Sequence, residues 1–273
     1  MDLIKILNAV IAVLAVILSQ LPPVRQMLKG KKVRIAVADP MQISHVFGNT
    51  NMSLWLDLEN IGGKTISIAQ ITCLLARQGR TQSLTAKTYW LTERLGSDKP
   101  LELPFPEIVL KPGERWSGYI HLWDTEAWAK AIERRVKSLI SKIKDDISKK
   151  VAIHNTEMAT VPQADRPLVE ADPKLVQEAC DIVKELRSLE ASDYELLVAA
   201  FDNPKRSPLK TLGFHFTLFE GDIDDIFEDI EDYRYGFGAG LPARKAKFVQ
   251  VSIRTMNEKE SEESYNKYKT KIL

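Results

Sequence analysis

Residues 52–75 read MSLWLDLENIGGKTISIAQITCLL, and this stretch decides the fold class. Met52, Leu54, Leu56 and Leu58 alternate with Ser53, Trp55, Asp57 and Glu59. A two-residue period puts one set on the core side of a sheet and the other on its opposite face. Asn60-Ile61-Gly62-Gly63-Lys64 carries turn residues. A second strand follows through Ile66, Ile68, Ile71, Cys73 and Leu75, and its phase slips at Ala69-Gln70, which predicts a bulge.

The same alternation recurs on both sides. Val33, Ile35 and Val37 form one run; Tyr194, Leu196, Val198 and Ala200 another; Phe214, Phe216 and Leu218 a third; Val249, Val251 and Ile253 a fourth. A weaker strand fits Ser83 to Leu91, and the Lys111-Pro112-Gly113-Glu114 turn separates Ile108–Leu110 from Trp116, Gly118, Ile120 and Leu122. Between these runs lie two helical patterns. Trp128, Ile132, Val136, Leu139, Ile143 and Ile147 follow Asp124 as N-cap; Leu175, Ala179, Ile182, Leu186 and Leu189 follow an Asp172-Pro173 cap. Short strands parted by Gly and Pro turns predict a sandwich.

The chain has 273 residues, 44% hydrophobic and 27% charged, with a net charge of +1, so no global charge points to nucleic acid or an acidic substrate. Cys73 and Cys180 sit in apolar periodic contexts and read as buried free thiols rather than a disulfide scaffold.

Leu3 to Leu21 is apolar apart from Lys5, Asn8, Ser19 and Gln20, and Pro22-Pro23 ends it. As a helix at ~1.5 Å per residue it reaches about 28 Å, close to the ~30 Å of a hydrocarbon core. Arg25, Lys29, Lys31, Lys32 and Arg34 follow it. The excess of Lys and Arg on this side places the following domain in the cytoplasm and the N-terminus outside, in a single-pass inner-membrane topology. No small-residue cleavage site follows the apolar run, so an uncleaved anchor is expected. Asn8, Ala12, Ala15 and Ser19 share one narrow face, the pattern by which membrane helices approach and hydrogen-bond.

The expected organisation is therefore α+β: an N-terminal transmembrane helix followed by an Ig-like antiparallel β-sandwich with a helical insertion. Residues 1–23 form the anchor, 24–31 a basic juxtamembrane linker, 32–256 the sandwich with its insertion at about 124–190, and 257–273 a charged tail, a frayed helix or disordered. Two separate domains are the alternative.

Motifs for chemistry are few. The first insertion helix is basic, with Lys130, Arg134, Arg135, Lys137, Lys142, Lys144, Lys149 and Lys150 against Glu126, Glu133, Asp145 and Asp146. Such a face is solvated, or contacts anionic lipid, or contacts nucleic acid or another acidic partner. Gly221 to Tyr233 is acidic; a calcium loop from Asp222 needs Gly sixth and Glu twelfth, and those places hold Phe227 and Tyr233. Tyr235 to Pro242 is Gly-rich but precedes no helix, so it reads as a connector rather than a nucleotide loop. His45, His121, His154 and His215 have no ligand spacing, and no nucleophile motif is present. No cofactor, metal, small-molecule ligand or enzymatic activity is expected.

Leu21-Pro22-Pro23-Val24, the Ser53–Leu75 strand-turn-strand with its Asn60-x-Gly62 turn, and Leu110-Lys111-Pro112-Gly113-Glu114-Arg115-Trp116 together resemble uncharacterised bacterial inner-membrane proteins with one anchor and a cytosolic sandwich. Proteins of this build serve as membrane effectors of retron-type antiphage systems. The resemblance implies a non-enzymatic effector or accessory component acting at the lipid bilayer. It also implies self-association through the anchor and a sensor partner such as a reverse transcriptase–nucleic acid complex. It transfers no catalytic residue. The alternative is a constitutive membrane-tethered binding or scaffold module, with Trp55, Tyr119 and Trp123 as exposed aromatic contacts.

Overall fold

The computed structural model describes residues 8, 10–16, 29–90, 101–124, 130–158, 168–239, 241 and 248–268. In chain order the first nine strands are β1 (Val33–Val37), β2 (Met41–Val46), β3 (Asn49–Asn60), β4 (Ile66–Ile68), β5 (Gln70–Arg77), β6 (Arg80–Trp90), β7 (Glu102–Pro104), β8 (Ile108–Leu110) and β9 (Arg115–Asp124). Helices α1 (Lys130–Glu157) and α2 (Pro173–Leu186) interrupt before β10 (Ser192–Phe201) and β11 (Lys210–Leu218). Helix α3 (Glu220–Phe227) with a 3-10 turn (Glu228–Tyr235), β12 (Val249–Val251), β13 (Arg254–Thr255) and α4 (Glu258–Tyr268) complete the chain.

The fold is α+β. An eleven-stranded antiparallel sheet runs β12-β2-β3-β9-β6-β5-β10-β11-β13, with β1 beside β3 and β7 beside β6. β12 and β13 end opposite sides of this path, yet only Ser252 and Ile253 separate them. Three Cα steps hold the two ends within about 11 Å, so the sheet curls nearly onto itself. Inside the curl Met52, Leu54, Leu56 and Leu58 are all at 0% exposure, as their alternation requires.

The phase slip at Ala69-Gln70 is not a bulge. β4 pairs with β8 in a separate two-stranded sheet, whereas β5 pairs with β6 and β10 in the large one. Ala69 lies at the crossing, its N–H donating to Phe201 O at 2.8 Å. One run of sequence serves two sheets, and the change of phase is the change of sheet.

Helix α1 buries Val136, Leu139, Ile143 and Ile147, and α2 buries Ala179, Ile182, Val183 and Leu186, all on the curled sheet's core. The expected α2 cap is present, Lys174 N–H donating to Asp172 Oδ1 at 2.8 Å. Asp124 is the last residue of β9 and accepts from Gln82 Nε2; residues 125–129, across which it would cap α1, lie outside the described residues. One basic residue of α1 reaches α2, Arg135 pairing with Glu178 and Glu185, whereas Lys137 and Lys150 pair within α1 with Glu133 and Asp146. Cys73 is buried, as expected, but Cys180 is only half-buried on α2.

The β2–β3 hairpin turns on Phe47 and Gly48, with φ of 50° and 83°. Two positive φ values match a two-residue primed turn. Phe47 tolerates the strain because its ring is buried and stacks on Tyr233 at 5.0 Å. Gly48 is required twice over, since a Cβ there would lie 2.5 Å from Val183 O of α2.

Of the two states expected for the charged C-terminal segment, the helix is the one present: residues 258–268 form α4. It is not a free tail, because it docks on the outer face of β5, β10 and β11. Met256 and Tyr268 join Leu74, Ala76 and Leu197 in a second apolar cluster, and Gly213 N–H donates to Ser261 Oγ at 3.1 Å.

Of the expected anchor, residues 10–16 and Asn8 are helical and exposed, and the rest lies outside the described residues. No helix among the described residues is long and apolar enough to cross a membrane.

Candidate functional site

The outer face of β3, β9 and β6 differs from every other surface of the sheet. Alternation along β3 turns Asn49, Asn51, Ser53, Trp55 and Asp57 outward, opposite the leucines of the core. The antiparallel register sets Asn51 against Trp123, Ser53 against His121, Trp55 against Tyr119 and Asp57 against Ser117. On the other side of β9, Thr88 lies against His121 and Trp90 against Tyr119. A register shift between Ala86 and Thr88 makes this possible, because the extra residue re-aims the end of β6.

Three adjacent strands thus present a row of aromatic rings. Trp90 stacks on Tyr119 at 5.0 Å and meets His121 edge-on at 4.6 Å, while Tyr119 and His121 are 5.6 Å apart. Trp55 and Tyr119 are half-buried and Trp123 is 37% exposed. At one end a charged row closes the face, Glu59 pairing with both Arg34 and Arg115.

The same strands carry buried polar atoms that have no hydrogen-bond partner among the described residues. Ser53 Oγ and His121 Nδ1 are 2.7 Å apart, which leaves His121 Nε2 buried without a hydrogen-bond partner. The Tyr119 hydroxyl, Asn49 Oδ1 and Asn51 Oδ1 are in the same condition. Burial pushes the Tyr119 phenol up to about 12. It also lowers His121 below the usual histidine value, against an upward pull from Glu102. His121 is therefore a neutral imidazole at neutral pH, offering either an N–H or a lone pair at Nε2. Among the described residues no carboxylate bonds to its ring.

A second buried histidine shows the contrast. His45 Nδ1 accepts from Gly48 N–H at 2.9 Å and Nε2 lies 2.9 Å from Asp229 Oδ1, so both ring nitrogens are used. The ring stacks on Phe227 at 4.6 Å. This is a clasp between the β2–β3 turn and the 3-10 turn, and it gives Asp229 of the acidic segment a structural partner. Among the described residues no three His, Cys, Asp or Glu side chains gather as a metal site.

The residues singled out from sequence are dispersed. Asn8, Ala12 and Ala15 are exposed on helical positions, whereas Ser19 and Arg25 lie outside the described residues. Lys29, Lys31, Lys32 and Arg34 are exposed, but Lys31 pairs with Asp202 at 3.2 Å and Gly30 O accepts from Gly63 N–H. Residues 30 and 31, expected in the linker, are thus tied to the domain. Of the aromatic positions, Trp55, Tyr119 and Trp123 do share one face; Trp90 and His121 complete it. Trp90 escaped notice because the register shift interrupts the alternation of β6. Comparison of the chain with protein-family models, with curated proteins and with solved structures finds no match in any of the three.

Proposed function

We propose that this chain is a membrane-tethered binding module that docks a partner protein on the outer face of β3, β9 and β6, acting by binding rather than catalysis. One observation carries the reading. Among the described residues, four of the five buried side-chain polar atoms without a partner, on Asn49, Asn51, Tyr119 and His121, belong to β3 and β9. Each such atom costs about 1–3 kcal/mol when left unpaired. The atoms are buried, so a partner supplies the missing bonds by shifting the half-buried rings of Trp55, Trp90 and Tyr119 as it docks. Tryptophan and tyrosine are the side chains that dominate protein interfaces, and Trp55, Trp90, Tyr119 and Trp123 surround these atoms.

The tether belongs to the same proposal. The apolar run 3–21 and the basic residues that follow support a single-pass inner-membrane topology with the domain in the cytoplasm. An Ig-like sandwich is the finer architecture proposed; β4 and β8, buried in the same core as the large sheet, support it. A second reading, an effector of a retron-like antiphage system, is favoured by the exposed Asn8, Ala12 and Ala15, which suit association between anchors.

Site-specific photocrosslinking in native membranes tests the docking face. A crosslinker at position 55 or 123 should trap one defined protein species, and a crosslinker at Lys259 on α4 should not. Equal yields at all three positions, or none at 55 and 123, would overturn the reading.

A further inference from the structure

The nearly closed sheet leaves one seam, and its geometry points to a strand-accepting site. β11 and β13 pair at Phe214↔Thr255 and His215↔Arg254. Extending that register sets Thr217 against Ser252 and Phe219 against Gln250. The chain does not continue it: β12 turns away to pair with β2, and Ile253 N–H donates to Asp39 Oδ1 at the start of that strand. The two strands therefore fork after Arg254. A cavity of about 780 Å³ fills the fork, lined by Asp193, His215, Thr217, Phe219, Asp222, Gln250, Val251, Ser252 and Arg254 among others. That volume lies within the ~300–1,000 Å³ typical of ligand sites.

Both walls of the fork are strand edges. Gly213 O accepts from Met256 N–H, so the odd-numbered peptide groups of β11 point toward the seam, and Thr217 follows them by the two-residue period. Ile253 N–H points toward β2, so Ser252 and Gln250 turn their peptide groups toward the seam by the same rule. Among the described residues none of these edges has a ladder partner beyond His215↔Arg254. An open edge of this kind is a template for another chain.

We infer that the seam accepts an extended, basic peptide segment of a partner, which completes the ladder between β11 and β12. The side chains around the fork select the charge. Asp193 and Asp222 line the cavity, while Glu220, Asp224 and Asp225 are exposed on the adjoining α3 and form no ion pair among the described residues. Arg254 is the basic counterweight on the β13 side. Phe219, 68% exposed at the mouth, offers an apolar contact to alternate side chains of the incoming strand. This site is separate from the aromatic face of β3, β9 and β6, and does not depend on it.

The test uses the full chain in nonionic micelles and three blocked heptapeptides: alternating lysine and valine, alternating glutamate and valine, and the lysine–valine peptide N-methylated at every second residue. Fluorescence anisotropy should show the lysine–valine peptide binding roughly tenfold more tightly than either of the others, through charge and through main-chain bonds. Amide exchange should slow at Thr217, Gln250 and Ser252. Asp193→Asn/Asp222→Asn, which keeps both oxygen acceptors, should erase the preference for lysine over glutamate. Equal binding of the N-methylated peptide, or protection elsewhere in the chain, would overturn the inference. Concentration-dependent protection of Thr217 without peptide would also overturn it, by assigning the seam to a second copy of the chain.

Discussion

Two outer faces of one sheet have been finished differently. On β5 and β10 the outward residues Leu74, Ala76 and Leu197 are apolar, and Tyr268 of α4 covers them together with Met256, two residues before the helix. On β3, β9 and β6 the outward residues are aromatic and polar, and four of their buried polar atoms have no partner among the described residues. The first face is completed within the chain. Its apolar side chains need only exclusion from water, which a mostly charged helix achieves with Tyr268 and with Met256 just before its start. The second face holds groups that need directional partners. On the docking proposal, the difference separates a stabilising surface from a recognising one.

The largest effect should come from breaking the covered face. Leu197 is at 0% exposure between β5 and α4, and Leu197→Ala should lower unfolding free energy by about 2–5 kcal/mol, measured by urea denaturation. α4 should then exchange its amides faster than β10. If α4 stays protected and stability is unchanged, the second cluster contributes nothing and the comparison fails.

On the aromatic face the response to pH comes next. Burial lowers His121 in the folded chain below its ordinary 6.5, so the unfolded chain binds the proton more readily. Stability from this group is complete above 6.5 and declines as pH falls from there through the lowered folded value. His121→Phe should flatten that part of the stability–pH curve. At the alkaline end Tyr119 acts in the opposite sense, with stability lost as pH rises from 10.0 through about 12, and Tyr119→Phe should remove that loss.

Removing the polar pair altogether should cost little. Ser53→Ala/His121→Phe deletes an internal hydrogen bond together with an unbonded buried nitrogen, so the free chain should change by less than about 1 kcal/mol. Partner crosslinking from position 123 should nevertheless fall. A strongly destabilised double variant would show that the pair belongs to the core.

The smallest stability effect is expected at the rim. Trp123→Ala should shift unfolding by no more than about 0.5 kcal/mol while weakening partner capture at least as much as any other single change on the face. Equal and small effects on both measurements would remove Trp123 from the interface.

Much of the architecture follows from local pattern. The alternation at Met52–Leu58 fixes which side of β3 is core, and the i, i+3, i+4 spacing of Val136, Leu139, Ile143 and Ile147 fixes the buried face of α1. Asp172-Pro173 marks the start of α2 because its cap is a contact between near neighbours. Trp55, Tyr119 and Trp123 were legible as outward aromatics for the same reason: facing depends only on the two-residue period. The β2–β3 turn was not, since Phe47-Gly48 lacks the usual Asn-Gly signal and is held by Tyr233, far away in sequence.

What the amino-acid sequence determines by itself is therefore local: period, caps and the side of a strand on which each residue stands. The tertiary structure alone decided the rest. It set Trp90 beside Tyr119 through a register shift, carried β4 and β5 into different sheets, and docked a charged helix by Tyr268, with Met256 just before it. It brought both ends of the sheet to within two residues of each other and left the fork between them. These features depend on pairing between distant strands, whose partners no local period can specify, because hydrogen-bonding edges are alike in every strand and only packing chooses among them.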